Sequence, residues 1–301
     1  MASNRSQPQQ KDCPPQKPHK ENQSRGNKVF YIITQAFLCA ILFFTVGMLG
    51  EQGYAYIAER ENHARLQHEI GISFQTASPT SASADVTPRP VPPYPVATPK
   101  RYSYPEGITL EQLKTLREKN DDFACWLYIP DTTISYYVMQ AEDNDYYLHK
   151  TIDKTYTASG SLFLDFRNNA ETMAGHTIIY GHNMQDGSMF GNILKYYNGS
   201  DDSYLKEHPY LYTYSENGVS IWQIFSVYET TTDEYYIETY FASQEAYYDF
   251  IKGLQNKSIY NTDVLLKATD DVLTLSTCYK FHNTDGRLVI NAVRVGTSIL
   301  N

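Results

Sequence analysis

The chain has 301 residues, a formal charge of −9 and a pI near 5.4. Nucleic-acid binders need a basic patch to neutralise phosphates, and no basic run occurs in the C-terminal two thirds, which excludes that class. The 27 tyrosines suit a sheet-rich domain with amphipathic rings on half-buried faces, and identify no ligand.

Met1 to Lys28 carries six Lys/Arg against two acids and is rich in Gln, Pro and Asn. It lacks the apolar content to build a core and is expected to be a disordered tail. Val29 to Gly50 (VFYIITQAFLCAILFFTVGMLG) has no charged residue over 22 positions, and roughly 20 apolar residues span a bilayer as a helix. A transmembrane anchor, in contact with membrane lipid, is expected there. A cleavable signal peptide is the competing reading, but its apolar core would be only about 7 to 15 residues long, and no A-x-A site lies directly after the span. Lys17, Lys20, Arg25 and Lys28 precede the span while Glu51, Glu59 and Glu61 follow it. The positive-inside rule then leaves the N-terminus in the cytoplasm and everything after Gly50 outside a single-pass cell-membrane protein.

Residues 51–75 place Tyr56, Ile57, Ala64 and Ile70 at roughly helical spacing and read as a short helical stalk. Residues 76–105 hold eight prolines among Ser, Thr and Ala, a composition that cannot pack. At about 3.1 Å per residue such a spacer reaches on the order of 90 Å. Its expected role is to hold a domain away from the membrane.

The globule spans 106–301. Within Ile108 to Asn120, Leu110, Leu113 and Leu116 predict a helix with Thr109 as N-cap. Eight short apolar or alternating runs follow: Trp126 to Ile129, Ile134 to Gln140, Ser161 to Leu164, His176 to Tyr180, Tyr210 to Tyr214, Val219 to Tyr228, Val272 to Cys278 and Leu288 to Val295. They predict a mainly β fold with added helices, an eight-stranded closed or nearly closed β-barrel. Ser243 to Leu254 interrupts them with Ala246, Tyr247, Phe250, Ile251 and Leu254 on one helical face. A helix is therefore expected in the connection before the strand that ends on Cys278.

On this topology Cys13 is cytoplasmic and Cys39 lies in the membrane, leaving Cys125 and Cys278 outside. These two could form a disulfide, as oxidising compartments favour. The alternation in VLTLSTC argues otherwise, since it puts Leu273 and Leu275 on one face and Thr274, Ser276 and Cys278 on the other, more polar one. A thiol becomes a useful nucleophile when a neighbouring base takes its proton or a cation favours its thiolate. Arg287 opens the strand after an Asp285-Gly286 turn signal. If the two strands pair as a hairpin, it faces Cys278 across the hairpin's mouth; an exposed arginine at a strand end is the alternative. Arg294, at the far end of that strand, fits less well.

His182 stands where a strand pattern gives way to a Gly-rich loop in HTIIYGHNMQDGSMFGN, a usual place to display a reactive side chain. His176, inside the run, reads as a satisfied core histidine, and His282 as an exposed loop residue. His63, His68, His149 and His208 look unremarkable, and no spacing suggests zinc or calcium. No cofactor is implied.

YGHNM, then TLSTC, then a GR-V strand resemble the sortases, membrane-anchored cysteine transpeptidases of Gram-positive surfaces. DFACWLYIPDTTISYYVMQAEDNDYYLHK and GSLFLDFRN are similar to the corresponding stretches of class B sortases, so that the likeness runs from about Asn120 to Val295. The resemblance implies a sortase β-barrel with an N-terminal helix and a helix before the cysteine strand. It implies that Cys278 attacks the carbonyl of a threonine in a sorting motif, N-P-x-T in type rather than L-P-x-T-G, and forms a thioester. His182 would protonate the departing amine and deprotonate the incoming one, and Arg287 would hold the substrate backbone or the developing oxyanion. Asn144, Leu148 and Ser276 match groove positions. The implied partners are surface proteins with a C-terminal sorting motif, and an amine of the peptidoglycan cross-bridge or a pilin lysine.

Two residues depart from the family pattern, Cys125 for the usual glycine and Tyr137 for the frequent proline. Cys125 reads as a small buried apolar residue. Two rivals remain: a cell-wall cysteine peptidase, which usually presents its cysteine at a helix N-terminus ahead of the histidine, and a non-catalytic wall-binding or pilus-scaffold domain.

Overall fold

A single helix, α1 (Glu21–Ile70), opens the computed structural model, which describes residues 21–74, 104–278 and 285–300. The tail before Glu21, the Pro-rich spacer over 75–103 and the loop holding His282 lie outside the described residues. The chain divides into two units, Met1–Tyr54 and Ala55–Asn301. In the first, Phe30–Met48 is long and apolar enough to cross a membrane. The helix already runs through Glu21–Lys28, where composition suggests disorder. Composition measures what a core needs, whereas a helix continuing an apolar span needs no core, only propagation.

In the second unit, α2 (Leu110–Lys119) begins at Thr109 with a capping box: Thr109 accepts from the Gln112 backbone and Gln112 from the Thr109 backbone. All eight expected strands form: β1 (Phe123–Tyr128), β2 (Ser135–Met139), β3 (Leu162–Leu164), β4 (His176–Gly181), β5 (Tyr210–Ser215), β6 (Gly218–Thr231), β7 (Val272–Cys278) and β8 (Gly286–Ser298). They close into a barrel in the order β1-β2-β3-β4-β7-β8-β6-β5. Two pairs, β2 with β3 and β4 with β7, are parallel; the rest are antiparallel. Sequence periodicity misses one short helix, α3 (Ser203–Glu207), and two 3-10 turns at Tyr146–Leu148 and Gly191–Tyr196. None is long enough to show a period.

The barrel interior is filled by alternate side chains of its strands, among them Leu127, Val138, Leu164, Ile179, Leu275 and Ile290. On the outer face of β6, β7 and β8 lies α4 (Gln244–Asn256), capped by Ser243, with Ile251 and Leu254 packed against Phe225, Val272, Val289 and Val293. A third cluster joins Leu113 and Leu116 of α2 to Trp126 of β1, and it includes Leu66 and Ile72.

That last contact changes the reading of the stalk. The end of α1 is part of the barrel's packing: His63 stacks on Tyr136 with ring centroids 4.4 Å apart, and its Nε2 donates to the Ser135 carbonyl at 3.0 Å. Gln67 Nε2 donates to the same carbonyl at 2.8 Å. The boundary expected at 105/106 therefore divides a packed cluster, because Leu66 and Ile72 precede the spacer in sequence and join α2 in space.

Candidate active site

Parallel pairing of β4 with β7 sets Tyr180 beside Ser276 and Gly181 beside Thr277. Antiparallel pairing of β7 with β8 makes Cys278 and Arg287 direct partners. His182 follows the last paired residue of β4, so these three residues occupy the adjoining ends of three neighbouring strands. The facing of Cys278 and Arg287 expected from the hairpin is the observed register. Glycine is required ahead of His182: a Cβ at Gly181 would lie 2.3 Å from Leu162 Cδ2 and 2.6 Å from Phe190 Cδ2, both in the packed interior.

A cleft of about 310 Å³ opens at these strand ends, and Asn144, Leu148, His182, Ser276 and Arg287 all line it. Five of the six residues singled out in the sequence thus share one cavity. The sixth, Cys278, directly follows the lining residues Ser276 and Thr277.

His182 Nε2 lies 2.9 Å from the Leu148 carbonyl, which can only accept, so Nε2 carries a proton and Nδ1 is the basic nitrogen. Burial pushes the imidazole below its ordinary pKa, the Leu148 carbonyl partly opposes that, and the charge of His149 adds to it. His149, unremarkable in the sequence, stacks on His182 with centroids 5.9 Å apart. Arg287 donates from Nη1 to the Gly286 carbonyl at 3.0 Å. Arg294 is structural, paired with Asp271 at 3.0 Å and lying over the Trp222 ring.

Two of the expected groove residues have their polar atoms engaged. Ser276 Oγ is 2.7 Å from the Tyr236 hydroxyl. Asn144 donates to Asp165 Oδ2 at 3.1 Å and accepts from the Phe166 backbone at 3.0 Å. The outer face of β7 is therefore polar as expected, but buried beneath the connection between β6 and α4. His176 sits in it as the satisfied core histidine its position suggests. Its Nδ1 is 2.6 Å from the Glu238 carbonyl, its Nε2 is 2.7 Å from Thr274 Oγ1, and burial lowers its pKa to about 4. Cys125 is fully buried and carries a free thiol, raised in pKa by burial, which removes the disulfide alternative.

The sequence-family model described as the sortase domain matches residues 127–295. The chain belongs to the sortase family. It is 42% identical to sortase B of Listeria monocytogenes over 188 residues, which are 61% of this chain and 74% of that protein. To sortase B of Staphylococcus aureus it is 32% identical over 182 residues, 60% of this chain and 73% of that one. Among solved structures, sortase B of Bacillus anthracis superposes with a TM-score of 0.61 at 32% identity, covering 80% of this chain and 98% of that one. A sortase B–substrate complex from S. aureus gives 0.59 at 31% identity, covering 63% and 87%. The barrel is thus that of a class B sortase, and the protein is a sortase-type cysteine transpeptidase.

The sortase cleft also has parts that carry no recognisable signal in the sequence. Tyr180 and the irregular segment Thr232–Ile237 form much of its wall. Asp165 and Arg167, in the stretch GSLFLDFRN, stand behind them. The stretch itself is conspicuous in the sequence, but nothing there says which neighbours its charges will meet.

Proposed function

We propose that this sortase cleaves a C-terminal sorting motif of the N-P-x-T type after its threonine and joins the released carboxyl to an amine of the peptidoglycan cross-bridge or of a pilin. The observation that supports this most is the register that brings the ends of β4, β7 and β8 together around one cleft. The Cys278 thiolate attacks the threonine carbonyl, and the tetrahedral oxyanion is stabilised by the Arg287 guanidinium. As the C–N bond breaks, His182 donates a proton through Nδ1 to the leaving amine, and a thioester remains on Cys278. The acceptor amine then attacks the thioester, His182 takes its proton, and the thiolate departs. The hydrogen bond from Nε2 to Leu148 keeps the ring oriented through both transfers. Asn144, Leu148 and Ser276 belong to the groove that receives the motif.

In the same reading, residues 29–50 anchor the chain in the cell membrane with the N-terminus in the cytoplasm, whereas the Pro-rich stretch 76–105, expected to hold the domain off the membrane, follows residues that already pack on the barrel and so joins two parts of one unit. The apolar Phe30–Met48 stretch and its flanking charges support this orientation.

The full chain in detergent, incubated with a panel of sorting peptides and no amine, is expected to yield an acyl adduct on Cys278 visible by mass spectrometry. An amine added afterwards should discharge it. Cys278→Ala should give neither adduct nor product. His182→Ala should slow turnover by roughly 10² to 10⁴, and Arg287→Ala by about 10² to 10³. A free, alkylatable Cys278 that no peptide acylates would overturn the motif assignment.

A further inference from the structure

Asp165 follows the last residue of β3 and is completely buried. A carboxylate there is tolerable only when it is paired and its lone pairs are filled. Arg167 donates from Nε to Oδ1 and from Nη2 to Oδ2, each at 2.8 Å, and its backbone N–H donates to Oδ1 at 3.0 Å. Tyr180 donates its hydroxyl to Oδ2 at 2.9 Å, and Asn144 donates to the same oxygen at 3.1 Å. Burial alone would raise the Asp165 pKa, but the bonds from Arg167 and Tyr180 outweigh it and hold the group ionised.

The donors are unevenly distributed in function. Tyr180 and Asn144 line the cleft, whereas Asp165 and Arg167 do not. The donors Arg167 has left go to the connection between β6 and α4: Nη1 to the Tyr235 hydroxyl at 3.2 Å and Nη2 to the Ile237 carbonyl at 2.9 Å. Residues 232–243 have no helix or strand of their own, and Thr232–Ile237 supply a wall of the cleft. Besides Arg167, this segment is tied down by Tyr236 to Ser276 and by Glu238 to His176.

We propose that Asp165 and Arg167 are positioning residues of the transpeptidase: one ion pair holds both the barrel side of the cleft, through Asn144 and Tyr180, and the β6–α4 wall, through Tyr235 and Ile237, and so sets how tightly the sorting motif is gripped. The guanidinium is suited to this because its rigid fork fills two carboxylate oxygens while two further directions remain for the wall. A lysine presents one point charge and cannot serve both. Because neither residue reaches the reacting atoms, the pair acts on binding of the motif and leaves the chemical step to the residues at the strand ends.

This rests on the sorting-peptide reading above, and the test separates the two. The full chain in detergent and its Arg167→Ala, Arg167→Lys and Asp165→Asn variants are compared in two assays. One is steady-state turnover of whichever panel peptide acylates the parent; the other is amide hydrogen exchange. Arg167→Ala is expected to raise KM about tenfold with kcat within about threefold, the loss of charge-assisted hydrogen bonds appearing in binding. Arg167→Lys should fall between it and the parent. Exchange should quicken over 232–241 while β7 and β8 stay protected. Unchanged KM, or a fall in kcat at constant KM, overturns the proposal. So does exchange that rises uniformly over the barrel, which would mean a purely structural pair. If Arg167→Ala does not fold, Arg167→Lys carries the same comparison. If the parent turns over no peptide, the sorting-peptide reading fails, and exchange alone decides: unchanged protection over 232–241 in Arg167→Lys overturns the anchoring.

Discussion

His182 is held in one tautomer by a backbone carbonyl and pressed on one face by a second imidazole, and both affect the proton it would carry. Burial, the largest influence, already lowers its pKa, and the electrostatic effect of the His149 ring, 5.9 Å away, adds to that. In the proposed mechanism the reactive form pairs a thiolate with a protonated His182; with a thiol of ordinary pKa, about 8.5, the imidazole is the more acidic of the two, so the acid limb of the pH–rate profile reports His182 and lies below its ordinary value of 6.5. Replacing His149 by glutamine removes the electrostatic effect and uncovers the ring, and both changes raise the His182 pKa. The acid limb of kcat/KM should therefore move to higher pH in His149→Gln. An unmoved limb would mean that His149 does not couple to the acid–base group. The sequence makes His182 and Arg287 legible because each breaks the pattern around it, a histidine at a strand's end and a charge opening an apolar run. It cannot reveal His149, which reaches His182 through a fold-back of the chain that leaves no mark on local periodicity.

At the scale of elements, α1 is the instructive case. Its last turns contribute Leu66 and, just beyond, Ile72 to the cluster beneath α2, and they add the bonds of His63 and Gln67 to Ser135. Burying one large aliphatic side chain contributes about 1.5 to 3 kcal/mol. A soluble fragment starting at Glu106, where composition places the domain boundary, should therefore unfold several degrees below one starting at Ala55. Thermal unfolding of the two fragments checks this, and equal midpoints would show that the contact contributes nothing. Composition and packing divide the chain at different places because the Pro-rich spacer interrupts the sequence without ending the packing. The strands were legible for the opposite reason. In VLTLSTC the leucines fill the barrel while Val272 meets α4, so the alternation visible in the sequence is the one the packing uses. What the alternation cannot show is that its polar face is roofed by another segment, since that depends on where 232–243 is tied.

Over the whole catalytic unit, the barrel is a closed frame, and two pieces of chain are fastened to its outside by histidines, one half-buried and one buried. His63 fastens the end of α1 through Ser135, enclosed by Trp126, Tyr136 and Tyr137. His176 fastens the β6–α4 connection through the Glu238 carbonyl. Burial lowers both pKa values from 6.5 to about 4, so the folded state holds both rings neutral where the unfolded chain would protonate them. Above pH 6.5 neither state takes up a proton, and the full stability is present. As pH falls from 6.5 toward 4 the unfolded chain binds protons first and stability drops, by up to about 1.4 kcal/mol per pH unit for each histidine. Asp165 acts in a separate window, since its lowered pKa keeps its contribution intact until the pH falls below the ordinary carboxylate range. Denaturant unfolding at pH 7 and pH 5 should show a marked loss in the parent protein. His63→Phe preserves an aromatic ring against Tyr136 but has no proton to gain, so its loss between the two pH values should be smaller by roughly the share of one histidine. Parallel losses in the two proteins would remove His63 as a source of the acid sensitivity and leave it to His176, beneath the β6–α4 connection.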